Sequence, residues 1–174
     1  ACHIAAFLSA YGARNWKWLT FLIWIAIAVT MVATRWSAIH WLVLGDTDDN
    51  IRYVQVKDWL AGQGWYDLRQ YRLDPPGGAN IHWSRLVDIP LAGLMLFFRA
   101  FVDQGMADRL ACGVAPLLPL LLLMLSLGFI GRRLAGPNGW LLAVLAPLAA
   151  QMGFGMYAPM RIDHHGWQLA LALT

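Results

Sequence analysis

The chain has 174 residues, of which 59% are hydrophobic and 13% are Asp, Glu, Lys or Arg, and its mean hydropathy is +0.51. A charged fraction about half that of soluble domains cannot build a water-facing surface, so the composition excludes an ordinary soluble globular domain. The formal net charge of +3 is modest, and the two cysteines, Cys2 and Cys112, make no disulfide framework.

The first apolar run predicts a membrane span over 18–39. Trp16 and Trp18 mark one end and Trp36 and Trp41 the other, roughly 30 Å apart at 1.5 Å per residue, which is the hydrocarbon thickness. Paired tryptophans suit the two interfaces. Arg35 then falls near the far interface, where it can snorkel. Arg14 and Lys17 precede the span and put its start in the cytoplasm. The run is too long for a signal peptide, and no small-residue cleavage site follows it.

All ten acidic residues are Asp, and nine lie between Asp46 and Asp108. The polar segment 45–109 therefore reads as one long extramembrane loop. Asp49 can cap a helix from Asn50 to Ala61 and Gly62 can end it, with Tyr53, Val56, Trp59 and Leu60 on an apolar face. Such a helix is too polar to span and belongs in the interface. Asp74-Pro75-Pro76-Gly77-Gly78 reads as a turn. The apolar run Val87–Phe101 is short for a span.

Further spans are predicted at 110–130 and 140–157, with another starting near 167. The basic loop Gly131–Gly139 carries Arg132 and Arg133, which the positive-inside rule sends to the cytoplasm. That holds if Val87–Phe101 is shallow or re-entrant on the outer side. The turn Arg161-Ile162-Asp163-His164-His165 then returns to the same face as Asp46. The expected fold is all-α: a polytopic transmembrane helical protein with a long extracytoplasmic first loop carrying interfacial helices. The chain does not begin with Met and stops inside an apolar run, so it reads as incomplete at both ends.

Two clusters can carry chemistry. In Gly45-Asp46-Thr47-Asp48-Asp49, capping explains one Asp but not three, and a hard divalent cation is a natural partner for the rest. In Asp163-His164-His165, the carboxylate and a ring nitrogen suit Mn²⁺ better than Mg²⁺. Ionisable residues at a span boundary are functional candidates by default. Haem ligation by His40, His164 or His165 has no other support in the sequence. Basic residues in so apolar a chain point to lipid phosphates and the membrane surface, not to nucleic acid.

The ordered set of motifs resembles the N-terminal part of GT-C membrane glycosyltransferases, in particular the catalytic subunits of oligosaccharyltransferases and their bacterial relatives. In that family an acidic motif follows the first span, with an Arg about two helical turns on; Asp46 and Arg52 match. A loop of the type P-x-G-x-x-I-x-W-x-x-L-x-D follows, matched by Pro76, Gly78, Ile81, Trp83, Leu86 and Asp88. A D-H-H motif comes later, here Asp163-His164-His165. Ser84-Arg85 stands where the family has P-P, and the Tyr after the first acidic motif is missing.

The resemblance implies a GT-C-like fold in a multi-pass protein of the bacterial inner membrane, with its active site on the periplasmic face. The implied activity is transfer of a sugar or oligosaccharide from a polyprenyl-phosphate or polyprenyl-diphosphate donor to an extracytoplasmic acceptor. Asp46 and Asp163 would be catalytic, and Asp46, Asp163 and His165 would hold Mg²⁺ or Mn²⁺. Arg52, Arg72, Arg85 and Arg161 would contact donor phosphate, with Asp48, Asp49 and His164 as further candidates. The alternative is a non-catalytic membrane subunit packing in a larger membrane complex. A transporter would call for a broken-helix repeat, which the sequence lacks.

Overall fold

The computed structural model describes residues 2–174, with side chains from Ala10 onward. It is mostly helical, and two helices, Ala10–Thr34 and Gln104–Ala135, are long and apolar enough to cross a membrane. The chain divides into two compact units.

The first unit holds residues 1–34, 116–158 and 165–174. Helix α1 (Cys2–Thr34) is kinked at Asn15 (φ −104°, ψ 18°), whose amide donates to the Tyr11 carbonyl. The helix stops at Thr34, short of the expected 39. The hydroxyls of Thr30 and Thr34 donate to carbonyls one turn back, which competes with the helical ladder. The expected span at 110–130 falls within the helix from Gln104 to Ala135, whose first-unit portion is α6 (Leu117–Ala135).

The expected span at 140–157 is not one helix. It is α7 (Trp140–Leu145), a 3₁₀ turn (Ala146–Ala149) and α8 (Gln151–Gly155). Pro147 lacks the amide that would continue α7, and Ala150 (φ −96°, ψ 71°) breaks the path. Helix α9 (His165–Leu171) lies where a further span was expected to start.

Trp16, Leu120, Leu123, Met124, Trp140, Val144, Tyr157 and Ala170 form the core of this unit. The basic stretch is less loop than expected, since Arg132 and Arg133 end α6, where positive charge suits the C-terminal dipole. Arg132 donates to the carbonyls of Ala13 and Pro137 (2.7 and 2.8 Å). The turn back into α7 is tight because a Cβ on Gly131 would sit 2.6 Å from the Gly139 carbonyl oxygen.

The second unit holds residues 35–115 and 159–164. It contains α2 (Trp36–His40), α3 (Thr47–Leu60), a two-residue antiparallel pair β1 (Arg69–Gln70) and β2 (Ala79–Asn80), α4 (Asp88–Arg99) and α5 (Gln104–Val114). The small β pair is the one departure from the all-α expectation among the described residues, and it closes the Asp74–Gly78 turn. Ile39, Val56, Leu91, Met95, Ala107, Ala111 and Cys112 are buried. The returning segment 159–164 is pinned by the Met160 amide, which donates to the Cys112 carbonyl (3.1 Å).

Helix α3 buries a polar stripe against the rest of its unit, beside the apolar face read from the sequence. The buried side chains are Asp49, Arg52, Gln55 and Val56. The stripe is helical in spacing but polar in three of its four members. Tyr53, Trp59 and Leu60 are only half-buried. Among the described residues, all the buried polar side chains except Thr20 belong to this second unit.

Candidate acidic centre at the head of α3

The N-cap of α3 is Asp46, not Asp49. Asp46 has extended backbone (φ −155°, ψ −167°), and its Oδ1 accepts the amides of Asp48 and Asp49 at 3.0 and 3.1 Å. Asp49 returns the favour through Oδ2, which accepts the Asp46 amide at 3.2 Å. This is a capping box built from two aspartates. It starts the helix at Thr47 and turns the Asp49 side chain fully inward.

Arg161 closes over this cap. Its Nη1 lies 2.6 Å from Asp46 Oδ2 and 3.2 Å from Asp49 Oδ2. Gly45 makes the approach possible, because a Cβ there would fall 2.5 Å from Arg161 Cδ and 2.6 Å from Asp49 Oδ2. Two residues on, the Asp163 amide donates to Asp49 Oδ1 at 2.8 Å. Asp49 thus joins the head of α3 to the Arg161–Asp163 turn through both oxygens. Met160, just before, holds a left-handed backbone (φ 76°), which costs free energy in a non-glycine residue.

The electrostatics of the two aspartates diverge. Burial pushes the Asp49 carboxyl up to about 6, against the attraction of Arg161 and with added repulsion from Asp46. Asp46 is more exposed. There burial pushes upward, but the amides of Asp49 and Asp48 and the guanidinium of Arg161 outweigh it and hold the group below the usual carboxylate range. Asp48 is half-buried beside them.

Asp163 is buried, and its Oδ1 accepts from the His164 amide (2.6 Å) and meets His164 Nδ1. His165 opens α9 and is exposed. Asp163, His164 and His165 each offer one ligand atom, and these atoms lie within 4.8 Å of one another. Carboxylate and imidazole are both ligand types that divalent metals take, though here Asp163 Oδ1 and His164 Nδ1 meet each other. Asp46 stands outside this group, and its Oδ2 is bonded to Arg161.

The remaining arginines go to different places. Arg52 is fully buried, paired with Asp88, and lies over the Trp83 ring at 4.9 Å. Its Nε and Nη2 have no hydrogen-bond partner. Trp83 also faces the His164 ring, with centroids 5.7 Å apart. Burial raises the Asp88 carboxyl, and Arg52 and Arg85 pull it back. Arg85 is buried and donates to the carbonyls of Gln55 and Asp67 (3.2 and 2.7 Å), so it fastens the loop to α3. Arg72 is exposed and forks onto Asp58 at 2.6 and 3.2 Å. Asp58 lies twelve residues beyond Asp46, so Arg72 sits about 18 Å along the helix from the acidic cap.

Three residues of the centre, Gly45, Trp83 and Asp88, belonged to motifs read in the sequence but carried no site role there. Gly45 and Trp83 act by shape and stacking. Asp88 is the counter-ion of Arg52 across 36 residues. Arg85 and Asp88, one turn apart, were a readable pair; the link to Arg52 had no local signal. Set against protein-family models, curated proteins and solved structures, the chain has no match.

Proposed function

We propose that this chain is the N-terminal part of a metal-dependent membrane glycosyltransferase of GT-C type. It would act on the periplasmic face of a bacterial inner membrane. The reaction is transfer of a sugar or oligosaccharide from a polyprenyl-phosphate or polyprenyl-diphosphate donor to an extracytoplasmic acceptor. One observation supports this reading above the others. The Asp163 turn, over a hundred residues away in sequence, is bonded to the carboxylate pair that heads α3.

Asp163 and His165 would hold Mg²⁺ or Mn²⁺, joined by Asp46 once Arg161 turns from the carboxylates to the donor phosphate. His164, Asp48 and Asp49 flank them. The cation would offset charge developing on the leaving phosphate. Arg161 is the arginine best placed for phosphate. Arg52, Arg85 and Arg72 support the scaffold through Asp88, the 63–67 loop and Asp58.

The test is transfer by the full-length protein in membranes. Asp46→Ala and Asp163→Ala each abolish transfer from a polyprenyl-linked donor while the protein stays inserted and folded. Near-normal transfer in either variant sinks the reading.

A second reading is a non-catalytic membrane subunit. It is favoured by Arg161, whose guanidinium bridges Asp46 and Asp49 and offsets their charge. Mn²⁺ titration followed by electron paramagnetic resonance separates the two. The enzyme binds Mn²⁺ in a manner lost in Asp163→Ala, and the subunit does not.

A further inference from the structure

Helix α4 wears its charges inside. Asp88 turns in to Arg52 and Arg85, and Arg99 turns in to Asp108 (3.1 Å), which also takes Lys57. Leu91, Ala92 and Met95 fill the rest of the inner face. The outer face has no polar side chain at all. From Leu86 to Val102 every exposed residue is apolar, and the large ones are Leu86, Ile89, Leu96, Phe97 and Phe101, the last 71% exposed. Their spacing follows one side of a helix. The Phe97 and Phe101 rings pack at a tilt with centroids 5.2 Å apart and extend the stripe past the helix end.

A protein partner is a poor match for such a face. Protein interfaces carry about one hydrogen bond per 100–200 Å² and a polar rim, and this stripe offers no side-chain donor or acceptor. Lipid tails ask for neither. Beyond a short turn the chain continues at Gln104 into a helix able to cross a membrane. Twelve residues cover about 18 Å, against a hydrocarbon thickness of about 30 Å, so α4 does not cross. Both ends of the stripe are polar and exposed, at Ser84 and at Asp103, which caps α5. Two polar ends place the helix along the surface and not through it.

We propose that α4 lies flat in the membrane interface, with Leu86, Ile89, Leu96, Phe97 and Phe101 in the acyl-chain boundary and its ionic face turned to the protein. The inference rests on the membrane reading, though not on the chemistry of the acidic centre. The helix acts as a float that fixes the height of Asp88, and with it Arg52 and the head of α3, relative to the lipid headgroups.

The experiment uses the full-length protein in nanodiscs of phosphatidylcholine and phosphatidylglycerol. Cys2→Ser is the background, and the buried Cys112 stays. Nitroxide labels go singly at positions 89, 96 and 101, with a control at Val29 in the first candidate span. Collision with oxygen is compared with collision with a water-soluble nickel chelate. All three α4 labels favour oxygen, at depths of about 5–10 Å, and positions 89 and 101 agree in depth. Three results overturn the proposal. Preference for nickel means water, shielding from both reagents means a second copy or another protein, and a depth difference near 18 Å means an upright helix. If the Val29 label favours nickel too, the membrane reading itself fails. If Val29 favours oxygen and the α4 labels do not, only this proposal fails.

Discussion

Asp163 donates its backbone amide to Asp49 Oδ1 at 2.8 Å, across 114 residues of chain. The same Asp49 caps its own helix through Oδ2 and meets Arg161 at 3.2 Å. One buried carboxylate therefore closes the second unit, and most of what can be measured about the acidic centre passes through it.

Asp49→Ala removes the acceptor for the buried Asp163 amide and the part-buried Asp46 amide. An unpaired buried donor costs about 1–3 kcal/mol, so a loss of about that size appears as a lower melting temperature in detergent. A variant that melts like the wild type would show that the contact carries no stability.

Asp49 also sets a pH dependence. Its ordinary value is 3.8 and burial raises it to about 6 in the folded chain. Between about pH 4 and 6 the folded state then holds more protons than the unfolded one, and stability falls as pH rises. Asp46, whose value is lowered, acts the other way; its contribution is present above its ordinary value and is lost in acid. Asp49→Asn should flatten the slope between pH 4 and 6 in a melting series. An unchanged slope would assign it to another group.

Gly45→Ala places a methyl group against Arg161 and Asp49, at 2.5 and 2.6 Å before any adjustment. Overpacking of this kind costs about 1–3 kcal/mol. Combined with Arg161→Ala the penalty should shrink, because half of the obstruction is gone. Additive losses in the double variant would place the strain elsewhere.

Arg52 and Asp88 form a buried ion pair between α3 and the start of α4. Arg52→Met leaves Asp88 with only the longer contact to Arg85 (3.6 Å), and a buried charge that loses its partner costs up to about 3–5 kcal/mol. Arg52→Met should therefore be worse than Arg52→Met combined with Asp88→Leu, which removes both charges of this pair and leaves Arg85 on the carbonyls of Gln55 and Asp67. Denaturant midpoints of the single and double variants decide it. A double variant no better than the single one would mean that Trp83 stacking, and not charge, holds Arg52.

The apolar pattern made the long helices legible, because hydropathy over 20 residues reports a physical length. It also marked Val87–Phe101 as too short to cross, and α4 spans Asp88–Arg99. It failed at Trp140–Tyr157, where Pro147 breaks an apolar run that reads as one helix. At α3 the apolar face of Tyr53, Val56, Trp59 and Leu60 was legible, but the polar side chains that the protein buries, Asp49, Arg52 and Gln55, were not. Their partners come from distant segments, and apolarity alone does not find them. The Asp46–Asp49 spacing was a readable capping box; the bridge from Arg161 was not, since no local rule joins positions 115 residues apart.

The polar inner face of α3 has a consequence for how this sequence can drift. A greasy helix can slide by a residue or turn a few degrees and still find a seat. Here Asp49, Arg52 and Gln55 meet counterparts at 163, 88 and 68, so a small rotation would set charge against carbon at several points at once. Position and partner are spelled together, as in a key cut to one lock. Descendants of this sequence would therefore change residues 52 and 88 in concert or leave both alone.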